Sequence, residues 1–309
     1  MALAVNEKIR EEWVAYIRGL QDRICSALEK CDGKARFRED VWEREGGGGG
    51  RTRVIGNGDV FEKGGVNTSV VFGEVTQPMR DQLKIEGDRW FACGLSLVLH
   101  PQNPFVPTVH CNYRMFEMAD RDGKITDRWF GGGADLTPYY LFEEDAIHFH
   151  RTHKEACDRS DLSLFAEFKK ECDRYFVNHH RNGERRGIGG IFFDHKRASA
   201  DRSDAFWIEL AHACGDAFLP AYLPIVERRR NIPFTGEHKH WQEIRRGRYV
   251  EFNLVHDRGT LFGLRSNGRT ESILMSLPST VRFEYDHQPD KGSAEELLLN
   301  VCLQPRDWV

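Results

Sequence analysis

The chain has 309 residues, 40% of them hydrophobic and 30% charged, with a formal net charge of -4 at pH 7. That composition excludes a disordered or membrane-embedded protein, and the mild negative charge gives no general attraction to nucleic acid or anionic lipid. The eight cysteines are scattered without Cys-x-x-Cys pairs or zinc-site spacing, so reduced thiols are expected rather than a disulfide framework.

In chain order, Ile9, Trp13, Ile17, Leu20, Ile24 and Leu28 recur at spacings of three and four, which predicts an amphipathic helix over residues 5–31. The five glycines Gly46 to Gly50 read either as a flexible connection or as backbone able to approach an anion, with Arg51 and Arg53 beside them. Residues 95–99 and 109–116 read as strands separated by the proline-rich PQNPFVP. A period of two puts Ser96 and His100 on one face, and His110, Asn112 and Arg114 on one face of a neighbouring strand.

Further on, a helix is expected after Pro138, with Glu143, Glu144 and Asp145 near its positive end. Another spans 162–178 with Leu162, Phe165, Phe168, Cys172 and Phe176 buried, and a third spans 204–218. Ile188 to Phe193 is a short apolar strand candidate. Residues 248–256 alternate and predict a strand. Residues 260–264 and 270–275 predict a hairpin about Asn267-Gly268, and 281–285 a further strand. Ser293 to Glu296 has capping-box spacing for a last helix. With no repeat, linker or regular strand-helix alternation, the expectation is one α+β domain over residues 1–309.

Twenty Phe and seven Trp suit a heavily aromatic core or a site for a large flat ligand. Arg114, with Asn112 beside it, is a candidate for gripping a carboxylate through its guanidinium fork, and Arg269 is a second. Asp257 and Arg258 read as an ion pair shaping a turn, or as groups facing a ligand N–H and a carboxylate. His100, His110, His150 and His180 lie on four separate elements, and spacing alone does not decide between metal ligation, proton transfer and structural hydrogen bonding. The N-terminus lacks a signal or transit pattern and no stretch is long and apolar enough for a membrane span, so a cytoplasmic location is expected.

The runs SLVLHPQNPFVPTVHCNYR, WFGGGADLTPYYLFEEDAIHFH, HHRNGERRGIGGIFFD, EFNLVHDRGT and FGLRSNGRTESILMSLP, with FEKGGVNTSVVFG upstream, resemble the oxygen-dependent coproporphyrinogen-III oxidases over residues 5–309. The resemblance implies oxidative decarboxylation of the ring A and B propionates of coproporphyrinogen III to vinyl groups, giving protoporphyrinogen IX. Molecular oxygen is the co-substrate, and CO2 and hydrogen peroxide are released. It further implies a homodimer with a large flat antiparallel sheet covered by helices on both sides.

Carried over by position, Ser96 matches a substrate contact, His110 the proton donor, and Asn112, Tyr113 and Arg114 the substrate-binding Asn-x-Arg segment. His100, His110, His150 and His180 match histidines that some descriptions assign to a metal, so a divalent ion stands as the alternative to catalysis without any cofactor. Asn267, Gly268 and Arg269 sit where many members have Gly-Gly-Arg, and His256 stands where many have tyrosine. The rival readings are a noncatalytic tetrapyrrole-binding protein and a histidine-metal oxygenase of another substrate. The missing Cys-x-x-x-Cys-x-x-Cys motif speaks against a radical-SAM route to the same product.

Overall fold

A computed structural model describes residues 2–77, 80, 87–265 and 268–309. Its spine is a seven-stranded, wholly antiparallel sheet. Strands β1 (Arg38–Glu43), β2 (Gly48–Gly56), β3 (Phe61–Glu74), β4 (Arg89–Pro101), β5 (Thr108–Ala119) and β6 (Ile125–Thr137) pair in sequence order, and β7 (Gly189–Lys196) closes the far edge. The fold is α+β, as expected.

The alternation predicted for β4 and β5 is what divides the sheet into two faces. Leu95, Leu97, Cys111, Tyr113 and Met115 point into the apolar core, while Ser96, Asn112 and Arg114 stay half-exposed on the opposite face. Helix α1 (Ala2–Asp32) covers the apolar face with Trp13, Ile17, Leu20, Ile24 and Leu28, all buried, and packs against β3 and β4. Helices α2 (Glu143–Asp158), α3 (Leu164–Tyr175), α4 (Asp204–Asp216) and α5 (Phe218–Arg229) complete that layer. Leu162 is exposed, because α3 starts only after Ser163 and its buried stripe begins at Leu164.

The second half departs most from the sequence reading. Residues 248–256 are not a strand: they finish α6 (Gly236–Glu251) and form a π-helical turn, Phe252–His256. The alternation there was of polar groups, and the helix buries Arg245, Arg246 and Arg248 in ion pairs with Glu184, Glu62 and Glu251. Side chains that are buried yet charged defeat a hydropathy-based period.

The hairpin is likewise replaced, by α7 (Arg258–Arg265) and α8 (Thr270–Leu274). Thr260 and Thr270, which suggested strands, sit in first helical turns, and the Thr260 amide is capped by Asp257 Oδ2 at 2.7 Å. Gly268 N donates to Gly263 O at 2.8 Å, a helix-terminating bond rather than a hairpin turn. Asn267 lies outside the described residues. Residues 281–285 form no strand but cross α6, with Arg282 N bonded to Glu243 O at 3.0 Å. The last helix, α9 (Ala294–Leu303), is capped by Ser293, whose Oγ accepts from Glu296 N, but the reciprocal bond of a capping box goes instead from Gly292 N to Glu296 Oε2.

The glycine run is structural. Gly48, Gly49 and Gly50 belong to β2, and a Cβ on Gly50 would stand 2.3 Å from the Trp42 ring. The aromatic residues mostly serve the first of the two expected uses, packing in buried clusters. Most fill the core, while Trp90, Phe116 and Trp129 stack across one end of the polar face.

Candidate active site

The polar face of the sheet is the floor of the site. Cross-strand register sets Asn67 beside Ser96, Ser96 beside Asn112, and Asn112 beside Gly133, so amide and hydroxyl groups form a row across β3, β4 and β5. Two residues along β5, Arg114 lies flat over the sheet, with Nη1 on Asn112 Oδ1 at 2.9 Å and Nη2 on Asp194 Oδ1 at 2.8 Å. It has room because its neighbour Gly131 lacks a side chain: a Cβ there would stand 2.9 Å from both Arg114 Nε and Asp194 Oδ1.

His110 occupies the other end of the same row. Its Nδ1 is 2.8 Å from Asp135 Oδ1. A carboxylate can only accept, so Nδ1 carries the proton and Nε2 is left as the acceptor. Asp135 is itself gripped by Arg186 through two bonds of 2.8 and 3.1 Å, and Arg186 donates a third to Asn253 Oδ1 at 2.9 Å. Both charges are buried. Burial alone would push the Asp135 carboxyl up, but Arg186 and His110 outweigh it and hold the group below the usual carboxylate range. The guanidinium of Arg186 also lies 4.0 Å from the Phe176 ring centre and 5.0 Å from that of Phe252.

Asp257 and Arg258 come from the opposite wall. The π-helical turn closes with Asp257 N on Phe252 O at 2.9 Å and swings Asp257 into extended geometry at the start of α7. One Asp257 oxygen caps α7 through Thr260 N, and the other accepts from Tyr175 Oη at 2.8 Å. A carboxylate offers about four lone-pair positions, so both oxygens keep acceptor capacity. Burial, and then Asp257, raise the Tyr175 phenol well above its ordinary range, so it stays a proton donor. Arg258, 61% exposed, reaches from α7 to Asp194 Oδ2 at 3.3 Å and stacks over Tyr175. Tyr175 and its neighbour Phe176 therefore connect Asp257 to His110, whose ring lies edge-on to Phe176 at 5.9 Å.

Ser96, His110, Asn112 and Arg114 are thus brought together on one floor, with Asp257 and Arg258 facing it. Arg269 lies further along, at the β1 edge of the same face, paired with Asp40 and over Trp42. Gly268 precedes it, with its amide taken by Gly263 O.

Tyr113 is not brought to the site. The strand period turns its side chain into the core, fully buried on the apolar face, so the expectation that it contacts a ligand is corrected to its backbone alone. Nor do the four histidines converge. His100 is buried, with Nδ1 3.1 Å from Thr108 Oγ1 and Nε2 2.8 Å from Ser276 O; His150 is buried within α2 against Ile188 O. His180 pairs instead with His256 at 2.8 Å and with Glu251. Among the described residues no group of three or more His, Cys, Asp or Glu side chains is arranged to hold a metal ion. Sequence reasoning passed over Asp135, Tyr175, Arg186 and Asp194. The signal available was a charged residue set within an apolar or glycine-rich run, GGGADL, RRGIGG and GIFFD.

An antiparallel sheet whose one face carries polar groups and arginines, with an imidazole held by a carboxylate, has the chemistry to grip carboxylates and to move a proton beside them. The coproporphyrinogen III oxidase family profile matches residues 12–308, and the chain belongs to that family. It is 51% identical to the oxygen-dependent coproporphyrinogen-III oxidase, chloroplastic, of Glycine max, over 98% of this chain and 80% of the relative. It is 49% identical to coproporphyrinogen-III oxidase 1, chloroplastic, of Arabidopsis thaliana, over 98% of this chain and 80% of that protein. For the Nicotiana tabacum oxygen-dependent enzyme, also named chloroplastic, the identity is 50%, over 98% and 78%.

Proposed function

We propose that the protein carries out the oxygen-dependent oxidation of coproporphyrinogen III in haem biosynthesis, converting two propionates to vinyl groups. Each step takes one propionate and one O2 and yields one vinyl group, CO2 and H2O2. The observation that carries the reading, beyond membership of the family, is the meeting of Arg114, Arg258 and Asp257 over the floor that holds His110.

The substrate is an electron-rich, flexible macrocycle with four carboxylates. Arg114, Arg258 and Arg269 orient propionates, while Ser96, Asn112 and the backbone about Tyr113 and Gly268 position the ring. Asp257 accepts or stabilises the pyrrole N–H proton, which lets the ring give electrons directly to O2. The resulting peroxide adduct on the pyrrole takes the proton from the propionate β-carbon as CO2 departs. His110, with Nε2 free of Asp135, is the acid/base group near that peroxide. On this reading O2 is the oxidant and no further cofactor is required; a divalent ion would need His100, His150 and His180 to leave their present partners.

The deciding experiment is turnover of anaerobically prepared coproporphyrinogen III by rigorously metal-stripped protein, with O2 added at time zero. Full-rate formation of protoporphyrinogen supports the reading. Product only after one particular metal is restored would overturn the metal-free part, and binding without CO2 release under every condition would leave a tetrapyrrole-binding protein.

A homodimer is part of the proposal and is tested by sedimentation. Among the described residues no helix is long and apolar enough to cross a membrane. The cytoplasm expected from the N-terminal composition and the plastid named for the relatives are separated by cell fractionation.

A further inference from the structure

Strand β7 carries an irregularity at the point where it meets the site. Phe130 pairs with Lys196 and Gly132 with Phe193, so the single residue Gly131 faces two residues, Asp194 and His195. His195 sits in the left-handed region at this bulge, φ 52°. A regular strand would send only one of the two side chains to the polar face. Here both go there: His195 stacks on Trp129 at 4.6 Å, and Asp194 meets Arg114 and Arg258.

We propose that Asp194 is a positioning and specificity-determining residue, an internal carboxylate that holds Arg114 and Arg258 together in the ligand-free protein and yields Arg258 to an incoming propionate. The proposal rests on the reading of this face as the propionate-binding floor.

Three features carry it. The Asp194 side chain is 14% exposed, and it bridges a floor arginine to a wall arginine with one oxygen each. The two contacts are unequal. Arg114, at 2.8 Å, is also fixed by Asn112, whereas Arg258, at 3.3 Å, is 61% exposed and has no other carboxylate partner among the described contacts. Arg258 is therefore the one free to change partners. Last, Gly131 keeps the space for the pair clear, because a Cβ there would stand 2.9 Å from Arg114 Nε and Asp194 Oδ1 and make one of them shift. Two guanidinium groups and one carboxylate, with His195 Nδ1 a further 3.4 Å from Asp194 Oδ2, leave the cluster net positive, the complement of a propionate. Asp194 thus competes with the substrate for Arg258, weakening ground-state binding while keeping both arginines at the right place.

The test is anaerobic binding of coproporphyrinogen III, with kcat and KM measured in parallel, for the wild type and Asp194→Asn. The expected result is binding tighter by about three- to tenfold, the order set by loss of one partly exposed competing charge, together with a lower kcat. Binding unchanged or weakened, with kcat falling alongside, would overturn the proposal, since a merely structural aspartate gives that pattern. Should Asp194→Asn not fold, the wild type bound to coproporphyrin III answers the same question by crystallography. Arg258 more than about 4 Å from Asp194, the limit of an ion pair, and on a propionate supports the exchange; Arg258 still on Asp194 sinks it. If the wild type neither binds nor turns over coproporphyrinogen III, the functional reading fails first, and that outcome is distinct from both.

Discussion

His110 and Asp135 share a 2.8 Å contact in which the acceptor is itself clamped, on the same oxygen, by Arg186 at 2.8 Å. The three groups form a line from the open floor into the core: the imidazole is partly exposed, the carboxylate and the guanidinium are buried. One end of the line is open on the floor and the other is fixed by three aromatic rings, so the imidazole tautomer is set by the fold before any ligand arrives.

Asp135→Asn should separate these roles. An amide can present its NH2 to Nδ1 and so favour the wrong tautomer, and kcat should fall about 100-fold or more, the range of general acid/base contributions. Arg186 would also lose its charged partner in the core, at a cost of about 3 to 5 kcal/mol on urea unfolding. Asp135→Asn with near-normal kcat would remove His110 from proton transfer.

Asp257 has two jobs that two variants distinguish. Asp257→Ala removes the α7 cap as well as the carboxylate facing Tyr175. Substrate binding should stay measurable while turnover collapses, and near-normal turnover would exclude Asp257 as the group that handles the pyrrole proton. Tyr175→Phe leaves the Thr260 cap untouched and removes two hydrogen bonds, the one donated to Asp257 Oδ1 and the one accepted from Arg258 N, together about 2 kcal/mol. Turnover should drop about five- to tenfold, with stability lowered by no more than about 2 kcal/mol on urea unfolding.

How far the sequence led depends on what kind of burial each residue has. The floor was legible because Leu95, Leu97, Cys111 and Met115 are apolar where Ser96, Asn112 and Arg114 are not, and a period of two then assigns the faces. That period also contradicts a ligand role for the Tyr113 side chain, although the motif Asn-Tyr-Arg runs through it. The wall was misread because Arg245, Arg246 and Arg248 are buried by pairing with carboxylates, which no hydropathy pattern announces. Strands β1 to β3 escaped notice for another reason: glycines and charges dominate β1 and β2, and tight packing of Gly50 under Trp42 replaces side-chain periodicity. Asp194 follows Phe192 onto the polar face by the ordinary period of two, but Phe192 and Phe193 are both apolar, so the run itself does not say which face is polar; only His195 owes its direction to the bulge.

That packing makes a prediction of its own. Gly50→Ala would put a Cβ 2.3 Å from the Trp42 ring and 2.6 Å from Thr68 O, and only the ring can move. Displacing Trp42 breaks its 3.0 Å bond to Thr52 Oγ1. The expected cost is about 1 to 3 kcal/mol, read as a lower midpoint of urea unfolding. An unchanged midpoint would mean the glycine run is as adaptable as its composition first suggested.

Acid should destabilise the protein well before its carboxylates titrate. Burial lowers His100 and His150 to about 3 and His153 to about 4, and all three are in the core. In the unfolded chain each titrates near 6.5, so between these values the unfolded state binds more protons. The stability of the neutral, buried forms is fully present above about pH 6.5 and is lost as pH falls towards the folded values. Each histidine contributes about 1 kcal/mol to the loss between pH 6.5 and 5.5, or about 3 kcal/mol for the set. The check is urea unfolding at pH 7.5, 6.5 and 5.5. His153→Leu, which removes a ring whose Nε2 has no hydrogen-bond partner, should reduce the slope by about a third. A flat profile across that range would mean that these imidazoles are protonated or water-exposed in the folded protein.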